Sequence, residues 1–525
     1  MNGLPTGTPG GAPTPTLRDS AIAGAAATAV ALGTSELVGA LLPGGRSLVE
    51  AVGDTVIDLV PGWLERSAIA ILGTADKPVL IVGILAVSLL VGAGLGWVAR
   101  RSLPLASAGL TVFALVGVVA AIGDERSTAW AVMAAGLAGA ASGIIALVIL
   151  TRAASARSAA LPGPVGRGEA RPGRRAFLQA VGIAVAIAGT AAAAGRWLTS
   201  SRRVEEIRAL LRLPVPATPA PPAPPDADLA LPGLTPLYIA NDDFYRIDTA
   251  LSIPQVDPEQ WSLEVRGLVD RPFTLTYDDL LAMPHVETDI ALTCVSNEVG
   301  GGLVGNARWQ GVPLRALLER AGVQDGATQL LSRSVDGFTA GFPTETAMEG
   351  GALVALGMNG EPLPALHGFP ARLVVPGLYG YVSATKWLSV IELTTFEAEA
   401  GYWIPRGWAR EGPIKTQSRV DVPRPGSSVA AGRQPIAGVA WAPTRGIEMV
   451  EVSIDGGPWK EARLAASLSV DTWRQWVYEW DATPGSHTIA VRASDGLGDT
   501  QTDVRTPVAP DGASGHHTIE VRVEQ

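Results

Sequence analysis

The chain has one cysteine, Cys294, at the end of an apolar run, Asp289-Ile290-Ala291-Leu292-Thr293-Cys294. Val295-Ser296-Asn297-Glu298 and a glycine run, Gly300–Gly302, follow it. A strand emptying into a glycine-rich loop puts the thiol at a sheet edge, where backbone can approach a ligand closely. An isolated cysteine otherwise behaves as a small buried hydrophobe. Nucleophilic chemistry would need a neighbouring base, and His285, nine residues upstream, is the nearest imidazole in sequence.

A second segment, 360–388, reads GEPLPALHGFPARLVVPGLYGYVSATKWL. His367 and Arg372 stand five apart, ahead of Gly377, Gly380, Ser383, Thr385 and Lys386. Guanidinium, ammonium, hydroxyls and glycine-freed amides are the groups that hold a phosphate. The same composition also suits a solvated Pro/Gly turn, and the residues alone do not separate the two.

These groups need a scaffold. Strand-like runs at 261–266, 289–295, 372–376 and 386–394 alternate with helical runs at 277–283 and 313–321. That is an α+β pattern. Beyond residue 420 only alternating segments remain (448–454, 475–480, 487–493), separated by turns such as Asp455-Gly456-Gly457, as in a β-sandwich.

The 525 residues are 47% hydrophobic and 17% charged, where soluble domains carry about 25% charge. Residues 1–225 have a net charge of +6 and residues 226–525 a net of −16. An acidic folded half argues against a nucleic-acid partner. One cysteine excludes an internal disulfide and any iron–sulfur cluster held by several thiolates.

Residues 79–99, 103–123 and 127–151 carry no charge and are long enough to cross a roughly 30 Å hydrocarbon core. Residues 21–42, containing Glu36, and 176–195 complete five expected spans. Residues 47–72 read as an amphipathic interfacial helix. Arg152, Arg157, Arg167, Arg171, Arg174 and Arg175 before the last span, with Arg100 and Arg101, place those loops and the N-terminus in the cytoplasm. Everything after residue 195 then lies outside, a multi-pass membrane protein with an extracytoplasmic body. Arg174-Arg175-Ala176-Phe177-Leu178 is similar to a twin-arginine export signal. The proline-rich stretch 214–225 (PVPATPAPPAPP) reads as a polyproline spacer of roughly 37 Å. The expected segments are a tail (1–18), a membrane region (19–200), a proline-rich linker (201–231), and domains over 232–413 and 414–525.

The body resembles the sulfite oxidase family of molybdenum-cofactor enzymes. The resemblance rests on Asn241 through Arg246, Leu292 through Asn297, Ala307 through Leu314, His367 through Arg372, Gly380 through Trp387, and the closing Gly515 through Ile519. It implies an α+β molybdopterin domain and a C-terminal immunoglobulin-like β-sandwich that forms a homodimer; the all-α transmembrane bundle ahead of them is read from hydropathy alone, and the resemblance does not extend to it. Cys294 would be the thiolate on molybdenum. Asn241, Tyr245, Arg246, Thr293, Asn297, His367, Arg372, Gly380, Ser383, Thr385 and Lys386 would hold the pterin and its phosphate. Arg246 and Trp309 would line the substrate approach.

The implied activity is two-electron oxygen-atom transfer on a small molecule, by a membrane-anchored oxidoreductase. In sulfite oxidases proper the loop after the cysteine carries arginines; here it reads Asn297-Glu298-Val299. That departure counts against sulfite as substrate; the other readings are a methionine-sulfoxide-type reductase and, with the cofactor lost or only structural, a non-catalytic binding protein on the same fold. The first 284 residues lack histidine, so no bis-histidine haem is expected in the helices and electrons would pass to a separate carrier. The cofactor expected is one molybdenum–molybdopterin, without haem or iron–sulfur cluster.

Overall fold

The computed structural model describes residues 15–61, 64, 67–68, 71–72, 75–123, 127–159, 172–199 and 202–525. The chain divides into two units, Met1–Ser200 and Ser201–Gln525.

The first unit contains helices α1 (Leu17–Leu41), α2 (Leu48–Leu59), α3 (Asp76–Ala99), α4 (Leu103–Ile122), α5 (Ala129–Ala159) and α6 (Pro172–Thr199). Five of them, all but α2, are long and apolar enough to cross a membrane. The α1 helix packs against α3, α5 and α6. Its small residues allow this: a Cβ at Gly24 would lie 2.0 Å from the Gly92 carbonyl oxygen, so the two backbones touch. Glu36, the acid within α1, has hydrogen-bond partners. Its Oε1 accepts from the Ser47 hydroxyl at 2.9 Å and the Val49 amide at 3.4 Å. The acid therefore sits on the orphan amides at the start of α2. The interfacial helix expected over 47–72 runs from Leu48 to Leu59. Arg174 and Arg175 lie within the first turn of α6, with Arg175 exposed. The tail up to residue 14, the 124–126 connection, Arg167 and Arg171 lie outside the described residues.

The second unit opens with α7 (Arg202–Leu210) and holds ten strands before residue 400. One sheet runs β2 (Phe273–Thr276), β1 (Ser262–Gly267), β10 (Leu388–Thr394), β5 (Gln329–Ser334), β6 (Thr339–Pro343). The other runs β3 (Val286–Thr293), β4 (Val304–Pro313), β7 (Leu353–Met358), β8 (Glu361–Pro362), with β9 (Arg372–Val374) also on β7. Only β1 and β10 pair in parallel; the other pairs are antiparallel. Helices α8 (Tyr277–Ala282) and α9 (Leu314–Ala321) occupy the expected helical runs. Leu314, Leu317, Leu318 and Ala321 of α9 are buried on one face, at the spacing that made the segment legible.

The proline-rich stretch, expected as a polyproline spacer, lies against the body. Thr218 bridges Val286 in parallel, its amide donating to the His285 carbonyl and its carbonyl accepting from Glu287. Gln310 donates to the Pro214 carbonyl at 2.7 Å, and Arg308 to that of Pro221 at 3.2 Å. Proline removes donors but keeps carbonyls, and those carbonyls let the stretch lie as a strap beside β3.

From Gln417 onward two sheets face each other. One has strands Gln417–Val422, Gly432–Trp441, Arg474–Ala482 and Arg463–Leu464; the other has Ser428–Ala430, His517–Glu524, Gly485–Asp495, Ile447–Ile454 and Lys460–Glu461. They share a core around Ile436, Trp476, Val491 and Val521. A separate apolar cluster joins Trp441 and Trp473 of this sandwich to Val295, Val304 and Tyr379. The two parts of the body are thus packed together beside Cys294.

Candidate active site

Pairing between β3 and β4 ends at Thr293 and Val304. Beyond it the Cys294 amide donates to the Leu303 carbonyl at 2.9 Å, and the Asn297 amide to the Cys294 carbonyl at 3.0 Å. Asn297 Oδ1 accepts from the Leu303 amide at 2.8 Å. Asn297 therefore closes the loop that carries the thiol. The Ser296 amide points at Cys294 Sγ, 3.4 Å away. Cys294 is 8% exposed, and burial pushes its thiol above the ordinary range, opposed by Ser296 and by the Lys386 ammonium.

A buried cation cluster stands on the other side of the site. Arg372 is 4% exposed and has only carbonyl partners, His367 at 3.1 Å, Leu373 at 3.3 Å and Ala384 at 3.4 Å. Its guanidinium lies 5.1 Å over the ring of Trp309, a cation–π contact. Burial lowers its pKa to about 10. Lys386 donates to Asp248 and to the Leu366 carbonyl, each at 3.1 Å, and burial brings its pKa down to about 8. Arg246 reaches the same Asp248 carboxylate at 2.8 Å.

Tyr245 connects the two sides. Its phenol is pushed up chiefly by burial, further by Cys294, and is pulled back by Arg372, so thiol, phenol and guanidinium share one electrostatic neighbourhood. His367 Nε2 donates to the Asn241 carbonyl at 2.8 Å, since a carbonyl can only accept. Burial lowers its pKa to about 4, and its ring meets Phe244 edge-on at 5.6 Å.

The sequence-predicted residues divide by what they touch. Tyr245, Arg246, His367, Arg372 and Lys386 converge with Cys294, and Asn241 joins them through its carbonyl. A Cβ at Gly380 would lie 3.9 Å from the Thr293 carbonyl, which places the Gly380–Ser383 turn against the end of β3. Ser383 donates to the Tyr379 carbonyl at 3.0 Å, and Thr385 pairs with Ser332 at 2.7 Å. Trp309 is fully buried beneath Arg372, its indole N–H donating to the Ile290 carbonyl at 3.1 Å. His285 is held away from the thiol, between Leu280 and Gln310. Sequence reasoning missed Asp248, the shared carboxylate; its place two residues after Arg246 was the available signal. It also missed Phe244, which lay unused beside Tyr245.

The donor set fits an anionic, hydrogen-bonding cofactor such as a phosphorylated pterin. His367 Nδ1 and Thr293 Oγ1 are buried with no hydrogen-bond partner, which is costly unless something else supplies one. Lys386 and Arg246 share the carboxylate of Asp248, while Arg372 is held only by carbonyls. Among the described residues no group of three His, Cys, Asp or Glu side chains could hold a metal ion, so a metal bound at Cys294 would need ligands from a cofactor.

The family described as oxidoreductase molybdopterin binding domain matches residues 250–403. Human mitochondrial sulfite oxidase is 30% identical over 325 residues, covering 52% of this chain and 59% of that protein. The chain thus spans less than two thirds of that relative's length. An uncharacterized oxidoreductase of Bacillus subtilis, YuiH, is 37% identical over 156 residues, covering 30% of this chain and 76% of that protein. In the crystal structure of the sulfane dehydrogenase SoxCD from Paracoccus pantotrophus, a chain 26% identical in sequence aligns with a TM-score of 0.47, covering 56% of this chain and 85% of that one.

Proposed function

The chain belongs to the sulfite oxidase family of molybdopterin oxidoreductases, and from that premise we propose that it is a membrane-anchored, extracytoplasmic oxidoreductase with Cys294 as the protein thiolate on molybdenum. When bound, the molybdenum–pterin group supplies two-electron oxygen-atom transfer to or from a small molecule. The observation that carries the reading is the union of one buried thiol with a buried cation cluster that includes orphaned polar atoms. Arg372 and Lys386 would hold the phosphate of a bound pterin, with Trp309 beneath Arg372. His367 Nδ1 would serve as an acceptor and the Thr293 hydroxyl as a further polar contact for the pterin. Asn297 fixes the loop so that the Cys294 sulfur is presented without rearrangement.

Loop charge supports an outside location for the body, with Arg174-Arg175 as a twin-arginine signal. The lack of histidine in the helices supports a separate electron carrier. The sandwich after residue 414 is read as immunoglobulin-like and as the face of a homodimer.

A second reading concerns the substrate. Glu298 is exposed on the cysteine loop. Of three candidate cations to offset it, Arg308 is engaged by Asp289 at 2.8 Å and Lys415 by Asp511 at 3.1 Å, while Arg410 lies 5.4 Å over the Phe396 ring. A neutral or zwitterionic sulfoxide suits such a mouth better than a sulfite dianion.

Elemental analysis and pterin quantification on wild type and Cys294→Ser test the assignment. Wild type should carry one molybdenum per chain. The variant should keep pterin through its phosphate contacts and lose redox turnover. Full turnover in the variant would remove Cys294 from the metal.

A further inference from the structure

The loop that carries Cys294 is also held from outside, by residues of the C-terminal sandwich. Arg419 spends all three arms of its guanidinium there: Nη1 donates to the Gly301 carbonyl at 2.7 Å, Nε to Asp421 at 2.6 Å and Nη2 to the Thr235 hydroxyl at 2.8 Å. His517, at the start of the last strand, lies flat against the neighbouring glycine. A Cβ on Gly300 would fall 2.2 Å from His517 Cδ2, and Gly300 has φ +80°. Glycine is required there twice over, by conformation and by contact. The Val420 amide donates to His517 Nδ1 at 3.0 Å, which fixes the ring and ties the two sheets together at this edge. A third contact reaches β3 itself, where the Ala291 amide donates to the Asp471 carbonyl at 2.9 Å.

We infer that Arg419 and His517 are positioning residues that set the reach of the Cys294 sulfur by clamping Gly301 and Gly300. The sandwich is then part of the thiolate site as well as a separate fold. The Arg419 fork is satisfied by groups from three segments, so it resists sliding in any one direction. The imidazole, a flat ring pressed on bare backbone, blocks outward movement of the loop at the next residue. The role given to Cys294 rests on the reading of it as the metal's thiolate; the clamp itself does not.

Cys294 is the only cysteine, so alkylation by iodoacetamide, followed by intact mass on the cofactor-free full-length protein, reads the loop alone. Arg419→Ala should speed alkylation by about tenfold, the size expected when one charge-assisted contact holding a closed state is lost, and His517→Ala, which removes a neutral hydrogen bond and a packing contact, should speed it by several-fold. Arg419→Lys should recover part of the protection. Arg433→Ala, which removes an exposed pair with Glu479 on the same domain, should change nothing. In the loaded enzyme the two alanine variants should shift the molybdenum electron paramagnetic resonance signal. Alkylation within twofold of wild type in both variants, with thermal melting unchanged, would overturn the clamp. If an alanine variant does not fold, Arg419→Lys and His517→Asn carry the same comparison, and wild-type protection in both has the same meaning. Turnover surviving in Cys294→Ser would instead strike at the metal assignment and leave the alkylation result standing.

Discussion

The Lys386 ammonium stands 3.1 Å from the Asp248 carboxylate, with the two side chains 9% and 5% exposed. Burial alone drives this lysine toward neutrality, and Asp248 is the first group opposing it. Arg372 and Arg246 push the other way. The pair thus keeps a cation charged where a phosphate would lie.

Asp248→Asn should therefore discharge Lys386 near neutral pH and lower cofactor retention, at a stability cost of roughly 3 kcal/mol. The pH dependence has a definite sign. A bound anion raises the lysine pKa above its free value of about 8, so wild-type affinity is full below pH 8 and falls as pH rises through it. Pterin content after dialysis across pH 6.5–9.5 checks this, and the decline should begin at lower pH in the variant.

The histidines give an acid limit. His367 and His517 both have pKa values lowered to about 4, chiefly by burial. Both lie below the ordinary 6.5, so the unfolded chain takes up these protons first. Their contribution is intact above pH 6.5 and is lost as pH falls from 6.5 toward 4. Melting temperature should decline over that window, and His367→Gln, which can still donate to the Asn241 carbonyl, should flatten the decline.

The apolar patterns were readable because they are local: uninterrupted apolar length marks the long helices and the spacing of buried leucines marks α9. Four of the five long helices, α9 and β3 fall within a few residues of their expected bounds, while α5 runs on to Ala159, eight residues past the expected end of its span. The packing of the strap was not legible because a proline-rich composition reports missing amides and says nothing of the carbonyls, which accept from Gln310 and Arg308. Site residues with an unusual charge, such as Arg372 and Lys386, were visible as candidates. Asp248 had only its place beside Arg246 to mark it, and its pairing with Lys386, 138 residues away, is made by the fold. Arg419 and His517 were invisible for the same reason, since their partners are backbone atoms of a distant loop.

The strap should be separable from the body by one side chain. Arg308 donates to Asp289 at 2.8 and 3.0 Å, to Tyr238 at 3.0 Å and to the Pro221 carbonyl at 3.2 Å. Arg308→Ala leaves the nearly buried Asp289 carboxylate with Tyr238, at a cost of about 3 kcal/mol. Hydrogen exchange should accelerate at the Thr218 and Ala220 amides, which β3 now protects. Exchange unchanged over 214–225 would mean that Gln310 and the Thr218 bridge hold the strap unaided.

Glu298 supplies the substrate test. Its carboxylate is exposed on the loop that begins at Cys294, and the body carries a net charge of −16. Both oppose a dianion approaching at low salt, the first locally and the second over about a Debye length. Wild type should turn over sulfite poorly and a sulfoxide, or its reduced partner, better. Glu298→Arg reverses the local sign by two charges. At an effective dielectric near 20 and roughly 8 Å, each charge acts on a dianion with about 4 kcal/mol before screening. Even a small remaining fraction of that should raise kcat/KM for sulfite at least tenfold while leaving the neutral substrate within a few-fold. Raising the ionic strength should shrink the difference between the two proteins, as screening requires. Steady-state kinetics on both proteins, with both substrates and at two salt concentrations, decide the matter. Efficient sulfite oxidation by the unmodified chain would mean that cations other than Arg308 and Lys415 face the substrate.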